Sequence, residues 1–245
     1  MRVINASYKI LTPDLDDPST ASDIYGKIER AGRVCYKSED RITKDSGEKF
    51  VRAMVKNGHE AMLEHASMSV LFTVDRGVSH ELVRHRLCSF AQESTRFCRY
   101  SKDKFGGEIT VILPYFLRNL SEEHRLMLLD IFYGKVDLKE DWKPTPSEIF
   151  YARWYDACST AEREYINLLD LGCTPEEART VLPMSLKTDI VMTANMREWR
   201  QIFKLRAAGE YGKPHPQMLE VMVPLLNECK MKLPALFEDI TAMEE

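Results

Sequence analysis

Thirteen residues, Arg84-His85-Arg86-Leu87-Cys88-Ser89-Phe90-Ala91-Gln92-Glu93-Ser94-Thr95-Arg96, place the tightest condition on how this chain can fold. Three basic side chains stand in a row, then hydroxyl, amide and carboxylate groups, then another arginine. A core cannot hold such a mixture, and a surface helix has no need of it. It suits a site for an anion joined to a polar ring. Guanidinium forks match phosphate, hydroxyls match phosphate oxygens and amides match base edges. The plainer alternative is a solvated charged face on which Glu81 and Glu93 pair the arginines, with little energy in each pair.

The flanking sequence reads as strands interleaved with helices. Val3 to Leu11 is β-branched and partly alternating, which predicts a first strand. Thr20 or Ser22 can cap a helix to about Tyr36, with Ile24, Ile28 and Val34 inward. Asp45 or Ser46 caps a second helix, with Phe50, Met54 and Val55 as its stripe and Asn57-Gly58 as its stop. Ser67 to Val74 reads as a strand and Val78 to Leu87 as a helix on which Arg84 and Arg86 diverge. Phe90 to Tyr100 reads as a loop entering a strand, with Ser94 and Arg96 on one side by two-residue alternation. A short strand at Ile109–Leu113, a helix at Ser121–Tyr133, an exposed excursion at 134–146 and a long helix at Ser147–Leu171 follow. Thr174, Pro175 and Glu177 form a helix start: cap, first-turn proline and capping-box acid. Leu186 to Thr193 is a strand. Asn195 opens a helix with Met196, Trp199, Ile202 and Phe203 on its apolar stripe, and Pro214 to Met231 is a last amphipathic helix.

Composition closes off several classes. A chain of 245 residues with 44% hydrophobic and 29% charged content reads as globular, and we expect one domain over 1–245. The net charge of −4 argues against a general nucleic-acid binder. No apolar run is long enough for a bilayer, and no signal core opens the chain, so no membrane partner is expected. Six cysteines without a Cys-x-x-Cys pair suggest reduced thiols and a cytoplasmic location. His59-Glu60 and His65 miss the zincin spacing, and His80-Glu81 with His85 misses it by one residue, so no metal is expected. Neither Gly-x-Gly-x-x-Gly nor a Walker loop occurs, so a dinucleotide would have to be gripped by side chains.

Arg84-His85-Arg86, seven residues and then Ser94 resembles the signature of the flavin-dependent thymidylate synthase family. Further landmarks follow the family's order. They are His59-Glu60 with Glu64-His65, the segment Gly172…Pro175-Glu176…Ala178-Arg179…Leu182-Pro183, and Asn195-x-Arg197 followed by Phe203 and Leu205-Arg206. Together they span about three fifths of the chain. The sequence departs from the family at Glu81, where glutamine is common, and at Ala61, Ala91, Gln92, Thr95, Phe97 and Glu210.

The resemblance implies an α+β fold, a single domain with a twisted, mainly antiparallel sheet flanked by long helices, assembled as a homotetramer with shared sites. It implies FAD held by His59, Arg84, His85, Arg86, Gln92, Asn195, Met196, Arg197 and Gln201. It implies dUMP held by Ser94, Thr95, Arg96, Arg179 and Arg206 with Glu81, Arg84 and Gln92, part of this set coming from another subunit. Arg206 is the expected catalytic residue, lying against the pyrimidine. Methylenetetrahydrofolate would give the one-carbon unit, carried on the flavin ring, and NADPH would reduce the flavin. Cys88 and Cys98 have no evident base beside them, and a buried thiol is their commoner role. For Ser94, a phosphate contact is plainer than a nucleophile. Two rivals stay open: an RNA-binding module using the arginines and aromatics of 84–100, and a flavoprotein of the same fold with another substrate.

Overall fold

A computed structural model describes residues 1–102, 106–135 and 143–243. Its strands are β1 (Arg2–Ile4), β2 (Ser7–Thr12), β3 (Ser67–Asp75), β4 (Ser89–Gln92), β5 (Thr110–Ile112) and β6 (Lys187–Asn195). Its helices are α1 (Thr20–Val34), α2 (Ser46–Lys56), α3 (Arg76–Leu82), α4 (Glu122–Phe132), α5 (Pro146–Asp170), α6 (Pro175–Ala178), α7 (Met196–Arg206), α8 (Pro216–Lys232) and α9 (Pro234–Phe237). Most of the expected excursion at 134–146 lies outside the described residues. Among those described, no helix is long and apolar enough to cross a membrane.

The chain divides into two compact units. The first comprises Met1–Ala6, Val74–Gly77 and Glu93–Thr188. In it β1 runs parallel to β5, with Arg2 opposite Thr110 and Ile4 opposite Ile112. Ile109, Val111, Tyr165, Leu169, Ala178 and Leu186 form a core against α5. A capping box starts α5: Thr145 accepts from the Glu148 amide at 3.3 Å, and the Glu148 carboxylate accepts from the Thr145 amide at 2.5 Å.

The second unit comprises Ser7–Thr73, Val78–Gln92 and the chain from Asp189 onward. It is built on a four-stranded sheet in the order β2-β3-β6-β4. The pairs β2–β3 and β4–β6 are antiparallel. Side-chain bridges Ser69–Thr193 and Thr73–Asp189, each 2.7 Å, step up β3 while stepping down β6, as an antiparallel pair must. Two-residue alternation is strict on both central strands: Met68, Val70 and Phe72 on β3, with Ile190 and Met192 on β6, are fully buried. Against this face pack Trp199 and Phe203 of α7, their rings 5.6 Å apart, and Phe72 lies 6.5 Å from Trp199. Gly58 ends α2 with φ +70°, a conformation that favours glycine.

Three expectations need correction. The first strand is two strands broken at Asn5-Ala6, because each half has its own partner, β5 for one and β3 for the other. The helix expected at 78–87 ends at Leu82, and turns carry the chain onward through His85 N–H to Leu82 O and Cys88 N–H to His85 O, both 3.1 Å. Arg84 and Arg86 therefore sit on turns rather than on a helix, and both are exposed. The next strand lies earlier than expected, at Ser89–Gln92, where β6 supplies its ladder. Ser94 instead opens a turn whose carbonyl accepts from the amides of Phe97 and Cys98, so Ser94 and Arg96 do not alternate along a strand.

Candidate functional site

In the second unit, the turns after Leu82 sort the signature residues by environment. His85 points inward and is buried, while Arg84 and Arg86 are exposed. Burial, reinforced by the charge of Arg206, lowers the His85 imidazole to about 4, so it is neutral near pH 7. The Cys88 thiol is pushed up to about 12 by burial and by the nearby Glu198 carboxylate. A thiol so disfavoured as thiolate has no nucleophilic character to offer.

Arg206 ends α7, and three of its N–H groups are engaged within its own unit. Nη1 donates to Glu81 Oε2 at 2.8 Å, Nη2 to the Glu81 carbonyl at 3.4 Å, and Nε to His85 Nε2 at 3.2 Å. The start of the same helix is fixed by Asn195, whose side-chain oxygen accepts from the Glu198 amide at 2.8 Å. Met196 is fully buried, so its side chain is core. Arg197 is exposed and donates to Glu64 at 2.6 Å, and Gln201 is half-buried. Gln92, at the end of β4, donates to the buried Ser79 hydroxyl at 3.0 Å. His59 opens on a cavity of about 640 Å³ whose apolar wall includes Phe50, Met54, Ala61 and Met62.

Glu198 escaped the sequence reading. Its carboxylate lies 3.8 Å from His85 Nδ1 and is largely buried, and burial raises it from the usual carboxylate range while Arg197 opposes the rise. Three places after Asn195 it has the look of an ordinary first-turn acid. Its meeting with His85 depends on tertiary structure, and no local signal announces it.

The first unit gathers the other expected residues. Arg179 Nη1 donates to the Thr95 hydroxyl at 3.2 Å. Arg96 holds Glu176 Oε2 through Nε and Nη2, both at 3.0 Å, and its own amide donates to Ser94 Oγ at 3.3 Å. Glu176 and Arg179, three residues apart, thus take different partners. Thr174 and Glu177 make the expected capping box ahead of Arg179. The segment is anchored next door: Glu93 accepts from Lys187 and from the Tyr100 hydroxyl, each at 2.8 Å. Two guanidinium groups and two hydroxyls thus sit in one exposed cluster, a donor set suited to phosphate. Among the described residues, no group of three or more His, Cys, Asp or Glu side chains could hold a metal ion.

Comparison with known proteins bears on what these clusters are for. Residues 20–235 match the family model described as "Thymidylate synthase complementing protein". The chain is 32% identical over 223 residues to a flavin-dependent thymidylate synthase of Corynebacterium aurimucosum, covering 89% of this chain and 81% of that one. It is 30% identical over 198 residues to a flavin-dependent thymidylate synthase of Pyrococcus furiosus, covering 78% and 68%. Its fold is similar to a UMP/dUMP methylase, PolB, from Streptomyces cacaoi bound with 5-Br dUMP. There the TM-score is 0.71 and the identity 23%, with 97% and 96% of the two chains covered.

Proposed function

The chain belongs to the flavin-dependent thymidylate synthases, the thymidylate synthase complementing protein family, and on that premise we propose that it converts dUMP to dTMP by reductive methylation. In this reading methylenetetrahydrofolate is the one-carbon donor and NADPH the reductant of FAD. The donor set of the second unit fits a flavin dinucleotide. Arg84 and Arg86 are exposed cations suited to a pyrophosphate, Asn195, Arg197 and Gln201 add polar groups on one helix, and the cavity beside His59 has apolar walls suited to a ring. When bound, FAD supplies the hydride.

The chain's own work is binding and electrostatics. Arg96 and Arg179, with Ser94 and Thr95, would hold the nucleotide phosphate. For Arg96 this means exchanging the Glu176 carboxylate for a phosphate oxygen. Arg206 would stabilise negative charge as it develops on the pyrimidine, as a preorganised oxyanion donor does. His85, neutral and buried, would keep the guanidinium in place without competing for charge. The observation that carries the reading is the fixed plane of Arg206, held by Glu81 of α3 and by His85 of the signature while Arg206 closes the helix of the flavin-directed residues.

The test is optical first and chemical second. Protein reconstituted with FAD should show flavin bands that shift on titration with dUMP, with UMP as the comparison nucleotide. With methylenetetrahydrofolate and NADPH added, dTMP should appear by chromatography. A protein that takes up no FAD, or a flavoprotein indifferent to dUMP, would sink the proposal.

A further inference from the structure

The hydrogen bond between Arg206 and His85 fixes more than a distance. A guanidinium N–H can only donate, so His85 Nε2 must present its lone pair to Arg206 Nε at 3.2 Å. A neutral imidazole that accepts at Nε2 carries its proton on Nδ1. Nδ1 faces Glu198 Oε1 at 3.8 Å, an ion-pair separation that a small rotation of the side chain would close to hydrogen-bond length. The Glu198 carboxylate is only 12% exposed, and the backbone that carries it is fixed at the start of α7 by the bond from its amide to Asn195. Carboxylate, imidazole and guanidinium thus follow one another in that order, and the bond from Arg206 leaves the His85 proton on the nitrogen that faces Glu198.

We propose that Glu198 is a positioning residue that holds His85 in its Nδ1–H form, so that the Nε2 lone pair aims the Arg206 fork. This rests on the role given to Arg206 above. The opposite tautomer would set an Nε2–H against the Arg206 Nε–H, two donors face to face, and turn the fork away. The logic is that of a carboxylate behind a ligating histidine, where the outer group acts only through the ring's orientation. Glu81, on the far side of the guanidinium, holds Nη1 and supports the same plane.

Histidine ¹⁵N NMR on the full chain, with the His85 signals assigned by their loss in His85→Gln, reads the tautomer directly and needs no turnover. The wild type should show Nδ1 protonated and Nε2 bare. Glu198→Leu, which removes the acceptor at similar size, should give mixed tautomers and at least ~10-fold slower dTMP formation. NADPH-driven bleaching of the flavin should be unaffected. Glu198→Gln, whose amide oxygen can still accept from Nδ1, should restore the Nδ1–H signature and recover most of the loss. A wild-type His85 protonated on Nε2, or a Glu198→Leu protein with the wild-type tautomer, overturns the inference even if dTMP is made. If no dTMP forms at all, the functional proposal fails while the tautomer measurement still decides this one.

Discussion

Arg206 meets Glu81 across 125 positions of sequence and His85 across 121, so its orientation is set by tertiary structure before any ligand arrives. Lysine would keep the charge and lose the planar fork. Arg206→Lys should therefore fold normally and bind FAD, and NADPH should still reduce its flavin. Its dTMP formation should fall ~10²-fold or more, the usual cost of an oxyanion donor. Near wild-type turnover would remove Arg206 from the reaction. Arg179 donates to the Thr95 hydroxyl, a weak partner for a cation. Arg179→Ala should cost roughly 2–5 kcal/mol of dUMP binding and leave FAD binding intact; unchanged affinity would make it a surface charge. His85 predicts a pH signature. Its pKa in the fold, about 4, lies below the ordinary histidine value of 6.5, so the unfolded chain binds more protons between these values. The stability it confers is whole above about pH 6.5 and is lost as pH falls toward 4, on the order of 3 kcal/mol. Urea midpoints should fall across that window in the wild type and fall less in His85→Gln. Parallel slopes would show that His85 is not the group responsible.

On the function proposed above, Asn195 at the start of α7 would serve the cap and the cofactor with different atoms of one side chain. Asn195 caps with its oxygen, and its amide nitrogen is what a cofactor acceptor would use. Aspartate caps equally well but has no amide donor. Asn195→Asp should keep the melting temperature and weaken FAD binding, whereas Asn195→Ala should lose about 1 kcal/mol of stability. Equal FAD affinity in Asn195→Asp and wild type would confine Asn195 to the cap. Signals like this cap were legible in the sequence because they are local: Asn195 at the start of its helix, Thr174 with Glu177, and Gly58 after α2 all act within a few residues. The true ends of α3 and β4 were not legible. Leu82 stops its helix because His85 must turn into the core, and Ser89–Gln92 is a strand because β6 lies alongside, facts set by residues far away in the chain. The same division runs through the site. The order of motifs suggests which residues are expected at phosphate and flavin, whereas the carboxylates found beside them, Glu176 on Arg96 and Glu198 behind His85, depend on contacts that no spacing reveals.

At the scale of the whole molecule, the assembly expected from the family is testable. The first unit exposes Tyr115, Phe116 and Phe150, whose rings stack edge to face at 5.5 and 6.5 Å. Apolar side chains exposed together suit a contact with another copy. Light scattering should give four times 28.4 kDa, and an active monomer would refute the tetramer. Charge at this scale has a further effect. The chain carries −4 overall, and three of its candidate site arginines are paired with carboxylates: Arg206 with Glu81, Arg96 with Glu176 and Arg197 with Glu64. Seen from a Debye length away, each of these three pairs is close to neutral, and its positive charge is felt only by a group near enough to displace the carboxylate. A polyanion such as RNA, drawn in by long-range field, finds little to follow, whereas a small nucleotide that arrives by chance can trade places at contact. Attraction works here by touch rather than at range, so the association rate of dUMP should vary little with ionic strength, in contrast to the steep dependence of steered encounters.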